Sequence, residues 1–514
     1  MGELKSKTEK LVRGLGLLDA TMIVVGSMIG SGIFITSAES SRLVGSPGWL
    51  LAAWALAGLL TITGALCCAE LAAMMPKAGG QYVFLREAYG PALGFLFGWS
   101  LFLVMQTGTI AAVAVAFANF TGVIVPQISG DNYIIAPHRA GGYAVSLSTQ
   151  QLVAVLLIAL LTWTNTRGLK TGKFIQNTFT FTKTAALVGL IVIGLTLGWK
   201  VGMASGAAAF TSSWWNPWAN GWSPQTAQSD LRAVGALALL MLLGRAMTGP
   251  LFAQSAWNNV TFTGGEIENP GRNLPRALLV GCAAVVGLYL LANLAYVVTL
   301  PLKAIQTAPQ NRVATATMQA IFGAPGTVMM AVAIMISTFG CNNGLILAGA
   351  RVYYAMARDH LFFSRVGRLN ARHVPAIALI MQGVWASVLT LPRTVTVDGR
   401  TGAVTYGNVY TQLLEYIVSA DLIFYMLMVG AVIVMRRKAP TMERPYKTYG
   451  YPLAPALYIF IAALFVLDLA YLAPWTSGIG YLIVFTGIPV YFIWRGSAAR
   501  QRAAADAATS NTGS

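Results

Sequence analysis

The sequence turns on Val25-Gly26-Ser27-Met28-Ile29-Gly30-Ser31-Gly32-Ile33-Phe34, which lies inside an apolar segment running from Leu17 to Ile35. Such a segment is close to the ~20 residues needed to cross a bilayer. Three glycines and two serines crowd into Gly26–Gly32, and each glycine costs a helix interior about 1 kcal/mol relative to alanine. We read the span as broken at these residues. Backbone N–H and C=O groups freed at bilayer depth are tolerated only where they line a cavity or meet a ligand. Gly30 and Gly32 carry no side chain, so a ligand can approach the main chain. The half-helix that follows is expected to begin near Ser31 and Gly32, with its N–H groups and positive dipole end facing the cavity. That setting suits an anion such as a carboxylate. A small-residue helix-packing face is the competing reading of the stretch.

Composition sets the class. Of 514 residues, 56% are hydrophobic and 10% charged, which describes a polytopic membrane protein with little mass outside the bilayer. Apolar runs of spanning length fall near 17–36, 48–75, 89–120, 150–165, 174–198, 233–262, 274–300, 323–350, 374–391, 411–435, 453–472 and 476–494, which predicts twelve spans. The formal charge of +17 reflects topology rather than a nucleic-acid partner: 24 of the 34 Lys and Arg residues fall on the side that carries the N-terminus and 8 on the other. That bias predicts both termini in the cytoplasm. The polar start of the chain leads directly into the first span, and no cleavable leader is read there. All four cysteines lie within spans and the three histidines are scattered over loops. No disulfide framework, metal site, catalytic triad or nucleotide loop is expected, and no cofactor.

Two later stretches extend the first. In the fifth span Lys183 stands among Thr178, Thr180, Thr182 and Thr184. It lies about 15 Å along the helix from the polar Lys173 end, which is deep for a snorkelling side chain, and an intramembrane lysine is functional by default. The sixth span holds Gly249-Pro250-Leu251-Phe252-Ala253-Gln254-Ser255-Ala256-Trp257-Asn258-Asn259. Pro250 frees a backbone carbonyl and the polar run beyond it is unfavourable against lipid. Interrupted helices five spans apart fit an inverted repeat of two five-helix halves with a site between them at the midplane. The loop at 199–232 carries Trp214, Trp215, Trp218 and Trp222, either an interfacial aromatic belt or a lid that screens ligands.

These motifs resemble those of the amino acid–polyamine–organocation (APC) superfamily. The resemblance rests on Ile29-Gly30-Ser31-Gly32-Ile33-Phe34, on Ala69-Glu70-Leu71 with Pro76, Gly79-Gly80 and Tyr82, on Phe339-Gly340 with Asn343-Gly344, and on Arg444-Pro445-Tyr446-Lys447. Phe252 to Asn259, followed by Glu266-Ile267-Glu268-Asn269-Pro270 and Arg272-Asn273-Leu274-Pro275-Arg276, looks most like the L-type amino acid transporter branch. The resemblance runs over nearly the whole chain to Arg495. It implies an all-α membrane protein of the LeuT-type fold, with broken helices 1 and 6. An N-terminal segment (1–16) would lead into repeats at 17–198 and 233–435. The outer loop 199–232 would separate them, two further spans (436–495) would follow, and a disordered tail (496–514) would end the chain.

By the same similarity the N–H groups of Ser31 and Gly32, exposed by the small Gly30, would hold a substrate carboxylate. The carbonyls of Met28, Phe252, Ala253 and Ser255 would hold its ammonium. Phe252 would cover the substrate as a gate, and Asn258 would help pair the sixth span with the site. Lys183 matches a lysine that stands where sodium-coupled relatives hold sodium; its nearest partners are expected among the carbonyls of Ile23 to Gly26 and the hydroxyls of Thr182 or Thr184. The implied activity is sodium-independent exchange of neutral, small L-amino acids across the plasma membrane (the inner membrane in a bacterium). Proton-coupled uptake and a non-transporting amino acid sensor are the competing readings. The chain departs from the branch at Gln254, Ser255 and Ala256, where an aromatic residue and glycines are usual. The cysteine that ties animal relatives to a glycoprotein heavy chain has no counterpart in the outer loops, so no such partner is expected. Arg245 falls outside the family pattern, as a vestibule residue paired with Glu415 or as a helix-end anchor.

Overall fold

A computed structural model describes residues 13–140, 143–228, 231–397, 404–407, 409–472 and 474–510. The first apolar segment divides into α1 (Leu17–Met28) and α2 (Gly32–Val44), bent by 40° at the break. Gly45, in the left-handed region at φ 61°, ends α2, and Ser46 caps the next helix with Pro47 in its first turn. Both are expected terminators and starters. Then come α3 (Pro47–Met74), the short α4 (Gln81–Tyr89), α5 (Pro91–Ile124), α6 (Thr149–Thr166) and α7 (Leu169–Ser205). The second interrupted span is α8 (Gly235–Ala253), followed after an irregular stretch by α9 (Asn259–Phe262). The chain continues through α10 (Pro270–Thr299), α11 (Val313–Phe322), α12 (Ala324–Arg358), α13 (Ala376–Leu389), α14 (Val409–Lys438), α15 (Leu453–Leu472) and α16 (Pro474–Ser510).

Among the described residues nine helices are long and apolar enough to cross a membrane, ten with the bent α1–α2 pair taken as one. The expectation of twelve differs by α6 and α13. Gln150, Gln151 and Asn165 lower the hydropathy of α6. The 14 residues of α13 rise only about 21 Å, short of a ~30 Å hydrocarbon core.

The all-α expectation needs a correction. The polar loop after α5 forms β1 (Tyr133–Ala140) and β2 (Tyr143–Ser148), which join β3 (Pro392–Val397) and β4 (Val404–Tyr406) in a four-stranded antiparallel sheet. The side chains of Tyr143–Ser148 alternate between exposed and buried, the period-two pattern of a half-covered strand. α16 runs past Arg495 to Ser510 through an alanine-rich run with high helix propensity.

α1 packs against α7, α10 and α12, whereas α2 packs against α8. At the α1 start, Gly14 and Leu15 donate to the Glu266 carbonyl at 3.0 and 3.1 Å, and Glu268 donates back to Leu15 at 2.9 Å. Leu15 and Ile267 are fully buried there, and Glu266 is ion-paired to buried Arg351 of α12 at 3.2 Å. At the same end Arg86 of α4 is bonded to Glu87 and Asp359. Burial opposes the Arg86 charge, but its bonds to Glu87 and Asp359 raise its pKa above the usual arginine value.

Candidate functional site

A helix that stops leaves its last four carbonyls without partners inside the helix. At the end of α1 these fall at bilayer depth, and side chains from three other helices meet them. The Lys183 ammonium of α7, fully buried, donates to the Gly26 carbonyl. Cys341 Sγ donates to Ser27 O at 3.2 Å, Tyr289 OH to Met28 O at 2.8 Å, and Ser337 Oγ to Ile29 O at 3.3 Å. One turn earlier, Gln176 Nε2 and Thr180 Oγ1 donate to Met22 O at 3.2 and 3.4 Å. Thr182 bonds its own helix at Thr178 O instead of assisting Lys183.

Sequence reading finds Lys183 but misses Tyr289, Ser337 and Cys341. A signal is present in hindsight. Ser337 and Cys341 lie one turn apart on α12, and Tyr289 and Tyr296 lie two turns apart on α10, with Tyr296 OH reaching Ile33 O at 3.2 Å. Such i,i+4 and i,i+7 pairs share one helix face.

Beyond the break α2 begins at Gly32, and Phe34 N donates to Ser31 O at 3.1 Å. The glycines make room for protein. A methyl placed on Gly32 would fall 2.5 Å from Ala253 Cβ and 2.8 Å from Ala253 Cα, and one on Gly30 would fall 2.9 Å from Cys341 Sγ. Gly32 therefore brings the first break into direct contact with the second.

The second break is held differently. Gln254 N donates to Pro250 O at 3.0 Å, and Ser255 N and Oγ both donate to Phe252 O, at 3.1 and 2.7 Å. Ala256 then takes φ 65°, a left-handed conformation that costs a residue with a Cβ roughly 1–2 kcal/mol. Asn258 turns away from α1. Its Nδ2 donates to Gln81 Oε1 of α4 at 2.7 Å, and its Oδ1 accepts from Tyr425 OH of α14 at 3.3 Å. Trp257 stacks on Tyr425 with ring centroids 5.2 Å apart. Met28, Gly30, Ser31, Gly32, Phe252, Ala253 and Ser255 thus converge at the paired breaks, with Lys183 behind the first and Asn258 behind the second.

Arg245 lies earlier in α8, where it donates to Gln228 Oε1 at 2.8 Å and lines a pocket with Thr36, Glu39, Ser40 and Leu414. The Glu415 side chain, its expected partner, lies outside the described residues. No group of three or more His, Cys, Asp or Glu side chains among the described residues is placed to hold a metal ion.

The comparison with known proteins follows this geometry. Residues 15–493 match the family model described as amino acid permease. The chain is 30% identical over 489 residues to the large neutral amino acids transporter small subunit 2 of Homo sapiens, covering 94% of this chain and 80% of that protein. It is 30% identical over 488 residues to the serine/threonine exchanger SteT of Bacillus subtilis, covering 94% and 97%. It is 29% identical over 501 residues to the Asc-type amino acid transporter 1 of Homo sapiens, covering 95% and 84%. Two broken apolar helices in contact, an unbroken match over nearly the full length and relatives of one kind lead to one conclusion: the chain is a multi-pass membrane protein that belongs to the amino acid permease family of the APC superfamily.

Proposed function

We propose that the protein exchanges neutral, small L-amino acids across the plasma membrane by alternating access, without sodium. The observation that carries this reading is the contact of the two breaks at Gly32 and Ala253. It sets a helix N-terminus beside exposed main-chain carbonyls. An amino acid offers one carboxylate and one ammonium, and this pairing offers donors for the first and acceptors for the second. The carboxylate would sit on the N–H groups of Ser31 and Gly32. The ammonium would sit among the carbonyls of Met28, Phe252, Ala253 and Ser255, under Phe252 as gate. Met28 O accepts one protein bond already, and a carbonyl has a second lone pair to give; Phe252 O accepts from both Ser255 N and Oγ, so it would serve once the Ser255 hydroxyl turns away.

In this reading α6 and α13 complete twelve spans, residues 17–198 and 233–435 form the inverted repeats, and both termini are cytoplasmic. Lys183 supplies a fixed positive charge where a sodium ion would otherwise bind, Asn258 anchors the second break, and Arg245 with Glu415 lines the outer vestibule. Neither a cofactor nor a disulfide-linked heavy chain takes part. The names of the relatives include a serine/threonine exchanger and a transporter of large neutral amino acids, which supports exchange over a sensor.

Purified protein in liposomes tests the proposal. Labelled alanine should enter vesicles preloaded with unlabelled alanine or serine, hardly enter empty ones, and ignore sodium. Sodium-driven accumulation would overturn it, and so would net uptake into empty vesicles that needs an inward proton gradient.

A further inference from the structure

Asp421 lies in the membrane-spanning part of α14, and none of the roles above uses it. It lines a small cavity with Thr61, Ser255, Trp257, Tyr425 and Tyr458, between the second break, α3, α14 and α15. An ionisable residue at this depth is expensive to keep and marks a functional position by default. The facing groups are the phenols of Tyr425 and Tyr458, the Thr61 and Ser255 hydroxyls and the indole of Trp257. No basic side chain among the described residues lines the cavity.

A second observation points to a ligand. Gln254 lines the same cavity and is fully buried. Its Nε2 donates to Trp54 O at 3.2 Å, but its Oε1 has no hydrogen-bond partner. The Ser255 hydroxyl proton is spent on Phe252 O. The residues that line the cavity thus include two acceptors, the unpartnered Gln254 Oε1 and the Asp421 carboxyl. A buried acceptor left without a donor is a standing cost that a ligand donor relieves.

We propose that Asp421, seconded by Gln254, is a specificity-determining residue that selects amino acids whose short side chain ends in a hydrogen-bond donor, serine and threonine above alanine and valine. The proposal rests on the exchanger reading and deepens it. Ser255 joins the two ends, since its carbonyl belongs to the ammonium cradle and its side chain lines this cavity. A hydroxyl one or two atoms beyond the substrate Cα would reach into a cavity of this size, whereas a long cationic chain would not. The carboxyl accepts a hydroxyl proton whether or not it is ionised, and a site built on a buried acceptor discriminates strongly against the analogue that lacks the donor.

The test uses full-length protein in alanine-loaded liposomes and compares kcat/KM for serine and alanine in wild type, Asp421→Asn and Asp421→Leu. Wild type should favour serine. Asp421→Leu should lower the serine-to-alanine ratio about tenfold while alanine exchange persists, and Asp421→Asn, which keeps an oxygen acceptor, should fall between. Should Asp421→Leu fail to assemble, the rise in melting temperature of detergent-purified Asp421→Asn with serine against alanine gives the same ratio. An unchanged ratio in a variant that still exchanges alanine, or a wild type that takes alanine as well as serine, would overturn the assignment. Absence of any exchange in the wild type would instead defeat the underlying reading, and the two failures are read separately.

Discussion

The two interrupted helices solve the same problem with opposite means. Where α1 stops, the exposed carbonyls of Gly26, Ser27, Met28 and Ile29 are each met by a side chain from α7, α10 or α12. Where α8 stops, the chain largely satisfies itself. Ser255 folds back on Phe252, and Ala256 adopts a left-handed turn. The main chain of the first break is thus held from outside and inherits the rigidity of the bundle; that of the second is held by its own residues, while Gln254 and Asn258 reach out to α3, α4 and α14. Under the proposed function the first break carries the substrate carboxylate, and the two breaks share its ammonium, through Met28 O on one side and the carbonyls of Ala253 and Ser255 on the other. On the same reading the side chains of Gln254 and Ser255 at the second break would meet the part of the substrate that varies.

Four substitutions break or sharpen this contrast. The largest effect is expected at the point of contact: Gly32→Val places a branched side chain against the Ala253 main chain, and exchange should fall by at least 100-fold while protein still reaches the membrane. Near-normal exchange would separate the breaks. Next, Lys183→Ala removes the donor to Gly26 O and leaves a buried carbonyl unpaired, at a cost of roughly 1–3 kcal/mol. Exchange should fall about tenfold or more; partial restoration by sodium would show that the lysine stands in for a cation, whereas near-normal exchange without sodium would show that its charge is not needed. Third, Tyr289→Phe removes one donor, to Met28 O, so KM should rise several-fold and more than kcat falls. An unchanged KM would detach that carbonyl from the site. The smallest effect runs the other way. Ala256→Gly relieves the left-handed alanine and should stabilise the protein by about 0.5–1 kcal/mol, read as a melting temperature higher by a degree or two. A loss of stability there would mean that the second break is held from outside as well.

Both breaks were legible in the sequence because their causes are local: Gly26, Gly30 and Gly32 in one, Pro250 and the polar run after it in the other. Lys183 was legible because a charge in an apolar helix stands out. The carbonyl partners Tyr289, Ser337 and Cys341 were not, since an ordinary side chain gives no sign of a backbone group 261 to 314 residues away, and the Asn258–Gln81 bond is hidden in the same way. Asp421 carried as plain a signal as Lys183, yet the family pattern offered it no role. The β-sheet escaped because its strands are short, far apart in sequence and paired across two loops.

The strap between Leu15 and Ile267 has a consequence for biogenesis. The partners of this short pairing are made about 250 residues apart, which at about 5–20 residues per second is some 13–50 s of synthesis. Of the donors for the first break only Lys183 emerges in that interval; Tyr289, Ser337 and Cys341 all follow the strap. Until then the first span lacks its anchor and all but one of its carbonyl partners, in a setting where unpaired backbone is not tolerated. The earliest segment to be made is therefore among the last to find its partners.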